Sequence, residues 1–441
     1  MNESPFIAYG IPALGGLLAL LLVFLAIRAG RRQRLISDLP TSKTTGVFIG
    51  LVELKGTAEV ETPLVSFLAS ESCVYFQWHV DEHWSRTVTE TYTDSEGRTQ
   101  TRTRTESGWT TVAQGGDSIP FYLQDDCGII LIRPEKAKVE PRTIFDQTCG
   151  PYQALYYGKG PPGAIANSTG QRHFVERAIP LHAELYVVGH AREREDVVAP
   201  EIAYNPKAEM FLISTRSEEQ VSRGLAWQFW LIGLFGAVLA VAGLVAPDAI
   251  QDHPLPNNIL KYLVAAAFFA VVWLVSWIAM VYNSIVSLRQ RVQQAWSNVD
   301  VQLKRRHDLI PNLVNAVQGM RGYEQKVQTE LAHLRSQLLA TPPGEPGPDP
   351  KAAKTTLAAI VERYPELKAN SSFMNLQQNL VDTEQRIALA RSYFNDIASF
   401  YNARLQVVPD RFIAALGAMK PQTLLLADNF ERAPVEVKLA T

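Results

Sequence analysis

Three stretches of the chain carry no charged residue: Ser4–Ile27, Gly224–Pro247 and Tyr262–Leu288. A helix rising 1.5 Å per residue needs about 20 apolar residues to cross a bilayer core of ~30 Å. In lipid the helix satisfies every backbone polar group within one segment. The pattern therefore predicts transmembrane helices over 5–27, 226–247 and 262–283. None of the three shows the polar face of a buried soluble helix. The first run exceeds the ~7–15-residue core of a signal peptide. Its basic cluster (Arg28, Arg31, Arg32, Arg34) follows the run instead of preceding it, which fits a retained anchor. Trp227, Trp273, Trp277 and Tyr282 lie within or near the span ends, where interfacial aromatics concentrate.

Between the first and second runs the pattern changes to short alternating segments rich in Val, Ile, Tyr and Phe. Examples are Gly46–Val60, Cys73–Val80, Pro120–Leu123, Gly128–Arg133, Leu181–His190 and Met210–Ser214. Such alternation predicts half-buried strands, here one small, mainly β domain over 46–215, a barrel or sandwich. Within it, Ser85–Thr105 places Thr at almost every second position around Asp94–Gly97 and reads as a solvated hairpin. The competing reading is an edge that pairs with another chain. His79 and His83 invite a metal reading, but four residues along a strand separate them by about 13 Å.

After the third run, apolar positions recur at intervals of mostly three and four: Ile285, Leu288, Val292, Ala295, Val299, Leu303, Ile310, Leu313 and Val317. One helix is expected to continue from the membrane as a stalk, kinked at Pro311 by the lost backbone donor. Thr341–Pro350 (TPPGEPGPDP) reads as a loop, followed by helices over Ala352–Tyr364 and Ser371–Leu405. The expected fold class is thus an α+β membrane protein. It has three transmembrane helices, a β domain, and an antiparallel helical bundle over 284–441 that continues from the third span.

Composition alone conceals this plan, since 20% charged and 47% apolar residues look like an ordinary soluble protein. The net charge of −2 gives no support for nucleic-acid binding. Arginines follow the first and third runs, whereas Asp248–Leu260 contains no Lys or Arg, with Lys261 at its edge. The positive-inside rule then places the amino terminus and that short loop outside and both larger regions in the cytoplasm. Three cysteines (Cys73, Cys127, Cys149) build no disulfide framework, as expected in a reducing compartment. Asp125 and Asp126 beside Cys127 would raise its thiol pKa, which disfavours a nucleophile.

No metalloprotease, nucleophile-elbow, phosphate-loop or dinucleotide motif occurs, and the eight histidines are dispersed. Gly158–Gly163 (GKGPPG) lacks the Lys–Ser/Thr pair of a phosphate loop and reads as a turn. No cofactor, metal or catalytic residue is expected. The candidate interface or core residues are Trp296, Asp300, Arg305, Arg306, Asp308, Pro311 and Asn312. Trp296 could anchor a partner, although filling the bundle core is the simpler reading. Arg306 lies about 27 Å along the helix from Leu288. That distance exceeds the ~8 Å Debye length and favours ion pairs inside the bundle, with Asp300, Asp308 or Glu384, over lipid contact. Tyr393, Phe394, Phe400 and Tyr401 form an aromatic stripe expected in the core.

Two resemblances rest on these residues. Gly50–Val60 (GLVELKGTAEV), Pro63–Phe76, Pro120–Glu140 and, more weakly, Val175–Ala191 resemble the GIDE or "beside a membrane" domain of mitochondrial ubiquitin ligases. Ligase activity is not implied, because it depends on a RING module whose clustered Cys and His hold two zincs, and this chain has three scattered cysteines. Val281–Gly319, Arg363–Leu405 and Ala433–Leu439 are very similar to the LemA family. That resemblance implies an amino-terminal membrane helix and a cytoplasmic helical bundle in a bacterial inner membrane. The β domain and two further spans in front are departures from its usual plan. The resulting expectation is a non-enzymatic membrane scaffold that forms homo-oligomers or organises unidentified partner proteins among membrane lipids. The alternative is an adaptor in membrane-protein quality control, or a membrane enzyme with an unfamiliar site.

Overall fold

A computed structural model describes residues 9–93, 99–194, 199–250, 259–318 and 371–425. The chain forms two compact units, one spanning Thr41–Glu218 and the other combining Met1–Pro40 with Glu219–Thr441.

Among the described residues, the first unit holds thirteen strands. They are β1 (Thr41–Ser42), β2 (Gly50–Glu59), β3 (Leu64–Val65), β4 (Ser72–Thr93), β5 (Thr99–Ser118), β6 (Phe121–Gln124) and β7 (Ile129–Ile132). Next come β8 (Lys138–Glu140), β9 (Arg142–Cys149), β10 (Ser168–Pro180), β11 (Glu184–Glu193), β12 (Pro200–Ala203) and β13 (Leu212–Ser214). β2, β6, β7, β12 and β11 pair in that order, and β11 pairs back onto β2, so these five strands close into a barrel. The closure brings Leu54 opposite Val187, Leu123 opposite Ile130 and Ile132 beside Ile202. All are buried with Val52, Phe121, Leu185 and Ala191 in one core. Every second residue points inward, which is the alternation visible in the sequence.

The remaining strands form a second sheet, β3–β4–β10–β9, with β5 paired along β4. β10 accompanies β4 only as far as Trp84, but β4 and β5 stay paired out to Thr93 opposite Thr99. The Thr-rich stretch is therefore the outer part of a two-stranded arm. Thr87, Thr89 and Thr91 face Thr105, Thr103 and Thr101 on one side, and Glu90 faces Arg102 on the other. The expected reversal at 94–97 lies outside the described residues. A short helix, α2 (Ala154–Gly158), lies between β9 and β10 and ends where the GKGPPG run begins.

The second unit holds α1 (Ile11–Ser37), α3 (Glu218–Ile250), α4 (Ile259–Gln318), α5 (Ser371–Arg404) and α6 (Asp410–Leu416). Among the described residues, three helices are long and apolar enough to cross a membrane: α1, α3 and the first part of α4. Pro12 sits in the first turn of α1, where its missing N–H costs nothing. A Cβ on Gly15 of α1 would stand 2.9 Å from the Gly243 Cα of α3, so both glycines are needed for this approach. Farther along, Val23, Ala26, Ile27, Phe229 and Met280 pack together.

α1 does not end with its apolar run at Ile27. It continues for ten residues to Ser37 and carries all four arginines. Likewise α4 is one 60-residue helix running through the position of Pro311 to Gln318. Ile285, Leu288, Val292, Ala295, Val299 and Leu303 are all buried, so the apolar stripe is the packed face. It meets Ile387, Ala390, Phe394, Ile397 and Tyr401 of α5, which runs antiparallel: Trp296 touches Phe394, and Arg306 reaches Glu384. The helix expected at 352–364 and the loop at 341–350 lie outside the described residues.

Candidate functional site

The most developed polar site of the helical unit lies where α1 and α4 leave their apolar segments. Arg34 and Asp38 are one turn apart at the end of α1, so both project to one side. Pro40 comes two residues after Asp38 and prevents further helix. Arg404 occupies the last turn of α5, where a cation faces the negative end of the helix dipole. Asp410 opens α6, where an anion is favoured.

These four residues form one network. Arg34 donates to both Asp410 oxygens, at 2.9 Å and 3.4 Å. Arg404 donates through Nη1 to Asp410 at 2.5 Å, and through Nε and Nη2 to Asp38 at 2.9 Å and 3.1 Å. The Ser284 hydroxyl of α4 donates to Asp38 at 3.3 Å. Asp38 and Asp410 are only 5% and 2% exposed, so both carboxylates are desolvated and compensated by bidentate guanidinium bonds. Burial works against the charge of Arg404, but hydrogen bonds and charges from Asp38 and Asp410 outweigh it and raise its pKa. Two cations and two anions cancel, leaving a neutral clamp that joins α1, α4, α5 and α6.

A second set of side-chain bonds holds the residues after α6. The Asn402 side chain pairs with the Gln422 backbone, accepting its N–H at 2.8 Å and donating to its carbonyl at 2.8 Å. Asn395, two turns earlier on α5, grips Leu425 in the same way at 2.8 Å in each direction. An extended segment is thus held along α5 by bonds between asparagine side chains and its own main chain.

The residues nominated from the sequence lie elsewhere. Arg306 is buried and approaches Glu384 at 3.7 Å, one of its three expected partners. Arg391 shares the neighbourhood: burial first, then the Arg306 charge, lowers its pKa to about 10. Buried Gln302 and Arg306 each retain a side-chain atom, Oε1 and Nη1, with no hydrogen-bond partner among the described residues. Asp300, Arg305 and Asp308 are exposed. Pro311 and Asn312 lie within α4, and their side chains are outside the described residues. Trp296 does not fill the bundle core. It is 36% exposed and covers the rim of the seam, edge to face on Phe394 at 5.5 Å. The seam positions themselves are taken by smaller side chains at Ala295 and Val299. Of the aromatic stripe, Phe394 and Tyr401 are buried, while Phe400 is exposed.

In the β unit, Arg172 and Glu82 form a fully buried pair on neighbouring strands at 3.0 Å. Arg172 also donates to the carbonyls of Tyr156, Pro161 and Gly163, at 2.9, 2.7 and 2.6 Å. The GKGPPG run is therefore a cradle for a guanidinium, a role invisible in its composition. Buried Glu176 accepts the N–H groups of Phe67, Leu68 and Ala69 at 2.7–2.9 Å. Asp125, Asp126 and Cys127 are, among the described residues, close enough to hold a metal. Asp125 is already occupied, accepting from Thr44 and from the Cys127 and Gly128 amides, which makes the group a closed turn. Burial and the two carboxylates push the Cys127 thiol pKa up. His79 and His83 have separate partners, Asp81 at 3.7 Å and Thr169 at 2.9 Å.

Sequence reasoning missed Arg34, Asp38, Ser284, Arg404 and Asp410. The available signal was a pair of acids at element boundaries, Asp38 after an arginine-rich helix end and Asp410 after Pro409.

Comparison with known proteins shows the same division. Residues 295–439 match the model of the LemA family. Residues 89–246 match the GIDE model, described as an E3 ubiquitin ligase, and that match extends through most of α3. The magnetosome protein MamQ of Magnetospirillum gryphiswaldense is 25% identical over 205 residues, covering 39% of this chain and 75% of that protein. MamQ 2 of Paramagnetospirillum magneticum is 24% identical over 219 residues, covering 42% and 78%. Protein LemA of Metamycoplasma hominis is 20% identical over 201 residues, covering 43% and 89%. The chain thus carries a helical region similar to the LemA family behind a region similar to GIDE, the latter match running from residue 89, near the end of β4, into the second apolar helix.

Proposed function

We propose that this chain is a non-enzymatic scaffold of a bacterial inner membrane that self-associates or organises partner proteins. The observation that carries the reading is α4. One uninterrupted helix, about 90 Å long at 1.5 Å per residue, begins in an apolar segment and continues as the packed seam with α5. Its membrane exit is tied by the ion clamp to α1. Such an arm holds whatever binds it at a fixed angle to the bilayer. The buried charges described above are engaged in structural contacts, which supports a role in positioning over a role in chemistry. In this reading the arginine-bearing ends of the spans face the cytoplasm and the loop 248–260 faces outward.

Mass photometry of the intact protein in mild detergent tests self-association. A species of two or more chains over the working concentration range is expected, and a strict monomer overturns that part of the reading. The GIDE match favours a second reading, an adaptor in membrane-protein quality control. Crosslinking pull-downs separate the two: mainly self-crosslinks support the scaffold, and stoichiometric protease or secretion components support the adaptor. Cysteines introduced at 248–260 should label from the outer face, and labelling from the cytoplasm alone contradicts the orientation.

A further inference from the structure

Chain position along the spans fixes the level at which α6 lies. Asp248, Lys261 and Tyr262 form a polar trio at one end of α3 and α4, with Lys261 Nζ 3.0 Å and the Tyr262 hydroxyl 2.6 Å from Asp248. About 20 helical residues cross the apolar core of a bilayer, so counting from Tyr262 brings Tyr282 to the opposite edge. There Gly417, the residue after α6, rests on Tyr282: a Cβ on Gly417 would stand 3.0 Å from the ring. The other end of α6 is held through Asp410 to Arg34, seven residues beyond Ile27. With α1, α3 and α4 read as spans, this count sets α6 at the level of the headgroup layer, with its carboxyl end at the hydrocarbon boundary.

The side chains agree with that level. Ile413 and Ala414 are buried against the unit, whereas Phe412 and Leu416, one turn apart on another face, are 64% and 86% exposed. Val407 and Val408, just before α6, are also exposed. Arg411 and Lys420 are exposed cations on either side of this apolar face. Large exposed apolar side chains flanked by cations are the pattern of a helix lying in a membrane surface. We propose that α6 and its flanks are a lipid-binding foot. Phe412 and Leu416 enter the leaflet from which α1 and α4 emerge, and Arg411 and Lys420 meet anionic headgroups. This surface is continuous with the lipid-facing surface of the spans, and the clamp makes it rigid with them. The inference rests on the reading of α1, α3 and α4 as spans.

The test uses the full chain with Cys127→Ser, which leaves only the buried Cys73 and Cys149, in vesicles of phosphatidylethanolamine and phosphatidylglycerol. Single cysteines carry an environment-sensitive fluorophore at Phe412→Cys, Leu416→Cys, Val271→Cys (mid-span) and Val301→Cys (on the stalk, farther from the membrane). Spin-labelled lipids quench from within the bilayer, and iodide quenches from water. At Phe412→Cys and Leu416→Cys, quenching by lipid labelled near the headgroup is expected to exceed that at Val301→Cys at least threefold, with iodide quenching reduced at least threefold. Iodide access equal to that at Val301→Cys, with Val271→Cys quenched by lipid, overturns the foot and leaves the spans intact. Shielding of both α6 probes from iodide and lipid alike identifies a protein contact and also overturns it. Failure of lipid to quench Val271→Cys overturns the span reading and the foot together.

Discussion

The two units handle buried charge in opposite ways. In the β unit, Arg172 and Glu82 lie on paired strands, and the remaining donors of Arg172 are met by carbonyls nine to sixteen residues away. The pair is 90 residues apart, brought together by strand pairing, and fully dehydrated. In the helical unit, Arg34 and Asp410 are 376 residues apart, and Asp38 and Arg404 are 366 apart. That cluster keeps an outlet to solvent, since the Arg404 side chain is 22% exposed. A sheet brings complementary side chains together through register. Separate helices have no register, and the clamp supplies one by fixing α1, α4, α5 and α6 at a common height.

The comparison can be broken most severely in the β unit. Arg172→Met leaves Glu82 buried without its cation and should cost about 3–5 kcal/mol, read as a loss of thermal stability of the β signal. Replacing both partners with apolar residues should recover part of that loss, and a double mutant as unstable as the single would show that the carbonyl cradle, not the pair, dominates. A charge with no partner provides the next reference. Ala270→Arg in the apolar part of α4 should weaken membrane insertion by roughly 2.5–3.5 kcal/mol, and undiminished integration would count against that span. Asp410→Asn should cost about 2–3 kcal/mol, less than the β-unit pair because water reaches Arg404. Its expected signature is faster amide exchange in 405–425 with unchanged exchange in the barrel.

Smaller effects sharpen the picture. Trp296→Ala should cost about 1–2 kcal/mol, below the range for a fully buried indole, because this ring lies at the rim of the seam. A loss above about 3 kcal/mol would mean that another surface covers it. The mildest expectation concerns pH. Burial would raise the Glu201 pKa, but hydrogen bonds from Arg133 and Arg192 outweigh it and hold the carboxyl below its ordinary value of 4.5. A depressed carboxyl contributes stability that is present above the unfolded pKa and lost as pH falls through the folded one. The barrel's melting temperature should therefore drop below about pH 4.5, less steeply in Glu201→Gln.

What was legible in the chain was whatever repeats over short distances. The apolar helices and the stripe from Ile285 to Leu303 arise from residues three and four apart, and the barrel strands from residues two apart. The hairpin arm was legible for the same reason, since its threonines alternate. The clamp was not, because each member is an ordinary surface-type residue near a helix end, and its partner lies hundreds of residues away. Trp296 was misread because size and apolarity do not say which side of a narrow seam a side chain takes. Arg172 was overlooked because its partners are main-chain carbonyls, which every residue carries.

The two asparagines of α5 carry a consequence for how the chain can change over evolutionary time. Asn395 and Asn402 bind only the backbone at Leu425 and Gln422. The grip is indifferent to the identity of the side chains it holds. Almost any substitution at 422 or 425 would leave it standing, with the exception of proline, which has no N–H to offer. The selective constraint falls on the two asparagines, so the tethered segment is free to vary its outward chemistry without changing its course.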